Sequence, residues 1–245
     1  MLNAKNHVLS TWLVLQFRRL KANVNTFRLV MYQRLVKKYV VNSFHRLYHS
    51  NSSQTWLNTF YLGVPVSKCP LDLWVYQEII FKLKPDVIIE CGTWKGGSAL
   101  FMAHLLDILN NGKVISIDLE DVQGKPQHKR IDYLLGSSTS EGVVAQVSRL
   151  IGSKERVMVV LDSDHHREHV LNELRIYSRF VTKGSYLIVE DTNLNGHPVW
   201  PKFGPGPMEA VSQFLQENKD FIIDKMKEKF YMTFNPNGYL VKSVD

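Results

Sequence analysis

From Asp72 onward, short apolar runs alternate with stretches whose apolar residues recur at helical spacing. Val87, Ile88 and Ile89 form a continuous run of β-formers, the pattern of a strand covered on both faces. KVISID ending at Asp118, DYLLGSSTS turning at Gly136, VMVVLD ending at Asp162 and SYLIVED ending at Glu190 and Asp191 read as four further strands. Between them, Ala99–Leu109, Glu141–Ile151 and Arg167–Phe180 read as helices, the last with Val170, Leu171, Leu174 and Tyr177 on one face. The segment Thr192–Pro207 holds three glycines and four prolines, which excludes regular structure and suits a lid. Met208–Glu217 then reads as a helix, with FIID and GYLV as closing strands, expected to be antiparallel at the sheet edge. This alternation predicts an α/β fold of Rossmann-like type: seven strands, mostly parallel, with helices on both faces.

The first strand breaks into a glycine-rich turn, ECGTWKGGS, that opens a helix. Gly92, Gly96 and Gly97 permit a close approach that a Cβ would forbid, and with Thr93 and Ser98 they form a candidate cofactor-binding turn. Three residues separate Gly92 from Gly96, so the spacing is not the G-x-G-x-x-G of dinucleotide sites. Glu90 at the strand's carboxyl end repels a pyrophosphate and accepts from a cationic ligand; S-adenosylmethionine, with its ammonium and sulfonium, fits better than NAD. Asp118, ending the next strand, is the expected acceptor for ribose hydroxyls, the alternative being an N-cap or solvated loop residue.

Two more strands end in acids, Asp162 and the pair Glu190-Asp191. If those strands are neighbours, three carboxylates converge beside the glycine turn, and they repel unless protons or a cation intervene. All-oxygen ligation suits a hard divalent ion, Mg²⁺ first. Taken singly, each acid also reads as a helix cap or a loop salt bridge. His165, three residues after Asp162, is the candidate proton acceptor, against the plainer reading of a polar surface histidine in SDHHREH.

Charge is unevenly spread: residues 1–71 hold ten Lys or Arg and no Asp or Glu, so the net +7 belongs to that segment. A basic helical extension over residues 1–55, with Val8–Phe17 carrying Trp12 and Phe17, suits either an anionic membrane surface or packing on another protein face, including a second copy. The catalytic domain is expected over residues 56–245. No nucleic-acid recognition motif accompanies the basic residues. Cys69 and Cys91 show neither metal spacing nor a pairing framework, and no cleavable signal is visible, so a cytoplasmic setting, peripheral to a membrane at most, is expected.

The series GVPVSKCPLDLWVYQEIIF, PDVIIECGTWKGGSALF, VLDSDHH and GSYLIVEDTN resembles the cephalosporin hydroxylase/rhamnosyl O-methyltransferase family over about residues 56–241. The resemblance implies a class I methyltransferase fold, S-adenosylmethionine, a divalent metal and methyl transfer to a hydroxyl of a sugar or natural product. The spacing of Asp162 to Glu190 and Asp191 is similar to the metal triad of catechol O-methyltransferase, where a lysine stands in place of His165. Similarity also implies that Lys68, Trp74, Tyr76 and Gln77 border the cofactor, with Gly136, Ser137 and Ser138 near the adenine and Asp162 touching both cofactor and metal. Within the lid, Asn193, His197 and Trp200 are expected to select the acceptor, a small molecule or glycan. The rival readings are an NAD-linked oxidoreductase, opposed by the glycine spacing, and a membrane-surface scaffold whose working part is the basic N-terminus.

Overall fold

The computed structural model describes residues 21–153 and 156–243, and these divide between Phe44 and His45 into two compact units. In the first unit, residues 21–36 are helical (α1) and Lys37–Val41 form a π-helical turn. Phe27, Leu29, Tyr32 and Leu35 on α1 are each at least 50% exposed, an apolar surface left open to solvent. The expected amphipathic stretch Val8–Phe17 lies outside the described residues. No described helix is long and apolar enough to cross a membrane.

The second unit begins within α2 (Asn42–Ser50) and a small hairpin, β1 (Phe60–Tyr61) and β2 (Val64–Pro65). Then follow α3 (Pro70–Leu83), β3 (Val87–Cys91), α4 (Gly97–Ile108), β4 (Lys113–Asp118), β5 (Ile131–Leu135), α5 (Glu141–Ile151) and β6 (Val157–Leu161). The chain closes with α6 (Arg167–Tyr177), β7 (Tyr186–Val189), α7 (Pro207–Glu217), β8 (Phe221–Ile223) and β9 (Tyr239–Lys242). β3 to β9 make one sheet in the order β5-β4-β3-β6-β7-β9-β8. Six strands run one way, five of them paired in parallel; β9 alone runs antiparallel and inserts between β7 and β8, so only β8 of the closing pair is at the edge.

β3 shows why its sequence is apolar throughout. Successive side chains point to opposite faces: Val87, Ile89 and Cys91 join Val147 of α5, Leu174 of α6 and Phe214 of α7, whereas Ile88 joins Ile79 and Ile80 of α3 and Met102 and Leu106 of α4. With helices on both faces, no position on the strand is left to water. Helix ends are set locally, as where the Ser140 side chain accepts from the Val143 N–H, a cap worth about 1 kcal/mol.

Parallel register is what builds the site. Cys91 pairs with Ile117 on one side and Leu161 on the other, and Leu161 pairs with Val189. The next residue on each strand therefore stands abreast of its neighbours: Asp118, Gly92, Asp162 and Glu190 form a row along the carboxyl edge. The ladder continues through them, since the Asp162 N–H donates to Cys91 O at 2.7 Å and the Glu190 N–H to Leu161 O at 2.9 Å.

Candidate active site

A cavity of about 790 Å³ opens along this edge. Its walls include Gly92, Thr93, Gly97, Ser98 and Asp118 at one end, Gly136, Ser137 and Ser138 beside them, and Asp162, His165, Asp191 and Trp200 beyond. The glycines act chiefly by letting backbones meet. A Cβ on Gly92 would stand 1.9 Å from Asp162 O, and one on Gly97 would stand 2.2 Å from Pro65 O in the hairpin. Gly96, at φ +79°, starts α4 but does not reach the cavity; its added Cβ would meet Tyr133 and Pro126 instead.

Glu90 is fully buried beneath the turn rather than on the cavity wall. Its Oε2 accepts from Ser116 Oγ at 2.6 Å, Ser116 Oγ is 2.7 Å from Thr93 Oγ1, and Glu90 Oε1 has no hydrogen-bond partner. Burial raises the Glu90 pKa, and Lys68 opposes that shift. Asp118 faces the cavity, and its Oδ2 accepts the N–H groups of Thr93 at 2.9 Å and Trp94 at 2.7 Å, which shapes the turn.

At the other end, the ligand atoms of Asp162, His165 and Asp191 all lie within 4.8 Å of one another. His165 Nε2 is 3.2 Å from Asp191 Oδ2. The expected trio is thus not one uniform cluster. Glu190 turns inward, where it accepts from the Lys68 ammonium at 2.7 Å and from the Tyr76 hydroxyl. The same ammonium donates to Asp162 Oδ2 at 2.5 Å. Lys68 is 3% exposed and holds the acids from behind, instead of bordering the cavity. Trp74 and Gln77 are likewise off the cavity wall, Trp74 bonding Glu78 at 3.2 Å.

Lys68 thus pairs with two of these carboxylates, Asp162 and Glu190, and its charge also acts on Asp191. Burial, together with Glu190 and Asp191, pushes the Asp162 pKa up to about 7 against the pull of Lys68. Burial also raises Asp191, with His165 opposing. Asp191 has φ +56° and its N–H donates to Asn235 Oδ1 at 3.1 Å. The loop carrying Asn235 is in turn tied down by Asp72, whose carboxylate accepts from Thr233 Oγ1 at 2.5 Å, the Phe234 N–H at 2.8 Å and the Tyr239 hydroxyl at 2.8 Å.

The lid is a built wall rather than a free flap. Asn193 is fully buried, donating from Nδ2 to His45 Nε2 at 3.0 Å, and Arg46 Nε donates to Pro198 O at 2.9 Å. His197 Nε2 lies 2.9 Å from Glu209 Oε1. Of the three expected selectors only Trp200 reaches the cavity, joined by Leu194 and Phe203. Sequence reading also missed His49, Trp56 and Leu57, which form part of the wall. The signal available was compositional: residues 44–56 concentrate His and aromatic side chains, and His49 stacks on Trp56 at 5.5 Å.

Sheet order, glycine turn and cavity define a Rossmann-like fold of the class I methyltransferase type. Residues 53–243 match the family described as Rhamnosyl O-methyltransferase/CmcI, and the chain belongs to that family. It is 36% identical over 211 residues to the rhamnosyl O-methyltransferase of Mycobacterium tuberculosis (strain ATCC 25618 / H37Rv), covering 83% of this chain and 85% of that one. With the rhamnosyl O-methyltransferase of Mycobacterium leprae (strain TN) it shares 37% identity over 209 residues, covering 83% and 90%. Among solved structures, the CmcI-N160 apo structure superposes with TM-score 0.60 at 19% identity, covering 77% of this chain and 78% of that chain, a likeness of fold.

Proposed function

We propose that this chain transfers a methyl group from S-adenosylmethionine to a hydroxyl of a sugar, with a divalent cation, Mg²⁺ first, at the acid cluster. The observation that carries the reading is the single cavity that joins the Gly92 turn to Asp162, His165 and Asp191. Relatives named rhamnosyl O-methyltransferases support a deoxyhexose as the acceptor. The rings of Trp56, Trp200 and Phe203 on the wall suit the apolar face of such a sugar.

The donor set fits a cation. Three carboxyls, Asp162, Glu190 and Asp191, gather about one lysine, and burial opposes charge on Asp162 and Asp191 in the way that a bound divalent ion would relieve. When bound, S-adenosylmethionine supplies an electrophilic methyl on sulfonium and the ion supplies Lewis acidity. The protein's part is to hold and to accept. Gly92, Thr93, Gly97 and Ser98 receive the cofactor, with Asp118 toward its ribose and Ser137 and Ser138 toward its adenine. Asp162 and Asp191 would hold the ion from the cluster, with Glu190 offering the oxygen that Lys68 and Tyr76 do not bind. His165 takes the acceptor hydroxyl proton on its imidazole, with Asp191 Oδ2 3.2 Å from the ring's Nε2. The aromatic wall excludes water and aligns the hydroxyl for in-line attack.

Incubation with S-adenosylmethionine and a panel of rhamnosides, with Mg²⁺ or with chelator, tests the reading by mass spectrometry. A methyl ether formed on the sugar only with metal is expected; no transfer to any hydroxyl overturns it.

The basic segment gives the finer partner. Its exposed Phe27, Leu29 and Tyr32 and its lack of any acid favour an anionic membrane surface, since like charge opposes pairing with a second copy. The full chain should cosediment with phosphatidylglycerol vesicles and not with phosphatidylcholine; equal binding, or a salt-resistant dimer without vesicles, would refute this.

A further inference from the structure

Glu173, in the middle of α6, is fully buried yet has no lysine or arginine against its carboxylate among the described residues. Its partners are hydroxyls from two loops far apart in the chain. Oε1 accepts from Ser138 Oγ at 2.5 Å and from Ser163 Oγ at 2.7 Å. His169, one turn earlier on the helix, places Nε2 at 3.3 Å from the same oxygen. Tyr177, one turn later, donates its hydroxyl to Ser138 O at 2.7 Å. Residues 169, 173 and 177 thus share one helix face and grip one loop.

Those loops are the two halves of the cavity. Ser138 closes the wall after β5, and Ser163 directly follows Asp162 after β6; both line the cavity, as does His169. One oxygen receives both hydroxyls, so a shift of either loop is felt by the other. A buried carboxylate is a costly way to tie two loops if the tie need only be structural.

We propose that Glu173 is a positioning residue that couples occupancy of the cofactor wall at Ser138 to occupancy of the acid cluster at Asp162. The inference rests on the methyltransferase reading above. Each ligand then tightens the other through the Ser138–Glu173–Ser163 bridge, and by linkage the effect is reciprocal.

Calorimetry with S-adenosylhomocysteine, in saturating Mg²⁺ and in chelator, reads the coupling without turnover. The wild type should bind about 10-fold more tightly with the metal, a common size for such coupling. Glu173→Gln, which keeps the volume and one acceptor oxygen, should bring that ratio near one, and Glu168→Gln, exposed on the same helix, should leave it intact. Ser163→Ala cuts one arm of the bridge and repeats the test should the Gln variant fold poorly. General loosening of the fold would weaken binding under both conditions and preserve the ratio. A wild-type ratio of one, or an unchanged ratio in Glu173→Gln and Ser163→Ala, overturns the coupling while leaving methyl transfer standing. No binding of S-adenosylhomocysteine under either condition removes the methyltransferase reading and the coupling together.

Discussion

His165 Nε2 stands 3.2 Å from Asp191 Oδ2 at the mouth of the acid cluster, on a loop between β6 and α6 that faces the end of β7. This places an imidazole and a carboxylate side by side, where the proposed reaction would bring the acceptor hydroxyl. His165→Gln should lower kcat about 10² to 10⁴-fold, the usual worth of a positioned base, with affinity for S-adenosylmethionine little changed. Single-turnover methyl transfer checks it; an unaltered rate removes His165 from the proton's path.

Lys68 is the one buried cation among these acids. Lys68→Met leaves Asp162 and Glu190 facing each other without it, and breaking a buried pair costs about 3–5 kcal/mol. For a chain of this size that is roughly a 10 °C fall in Tm. Added Mg²⁺ should recover part of the loss in the variant. Scanning calorimetry with and without the metal decides the matter, and a Tm equal to wild type would refute the role given to Lys68.

Two glycine substitutions should differ in sign. Gly92→Ala drives a Cβ to 1.9 Å from Asp162 O at φ +100°, so β3 and β6 must part and the acids lose their register. Gly142, in the first turn of α5, has nothing within 4 Å of an added Cβ. Gly142→Ala should stabilise by up to about 1 kcal/mol through helix propensity, whereas Gly92→Ala should lose cofactor binding and most soluble expression. Paired urea titrations and a cofactor-binding assay provide the comparison.

His45 sets a pH limit on the lid. It is buried against Phe234 and accepts from Asn193, which requires the neutral ring, and burial lowers its pKa from 6.5 to about 4. Between those values the unfolded chain binds a proton that the folded chain refuses, so stability falls as pH drops from about 6.5 toward about 4. On the order of 3 kcal/mol is at stake across that interval. His45→Gln should flatten this part of the Tm–pH curve; an identical slope in the variant would show that other groups carry it.

The alternation of strands and helices, the glycine turn and the acids at the strand ends were all legible in the chain. Each is written in local pattern: apolar runs for covered strands, helical spacing between them, and polar residues where each strand leaves the sheet. Once the strands are parallel, the residues that end them come to one edge, which is why Asp118, Asp162 and Glu190 could be picked out without coordinates. The lid was legible only as irregular chain, because its anchors His45 and Arg46 lie about 150 residues earlier.

What the sequence determined by itself was therefore the row of acids beside a glycine turn. Only the tertiary structure decided their division of labour. Glu190 and Asp191 are adjacent, yet one turns to Lys68 and Tyr76 in the interior and the other, at φ +56°, meets His165 on the cavity wall. The direction Glu190 takes depends on Lys68 and Tyr76, more than a hundred residues earlier in the chain, and no local pattern encodes a contact closed by packing the whole sheet.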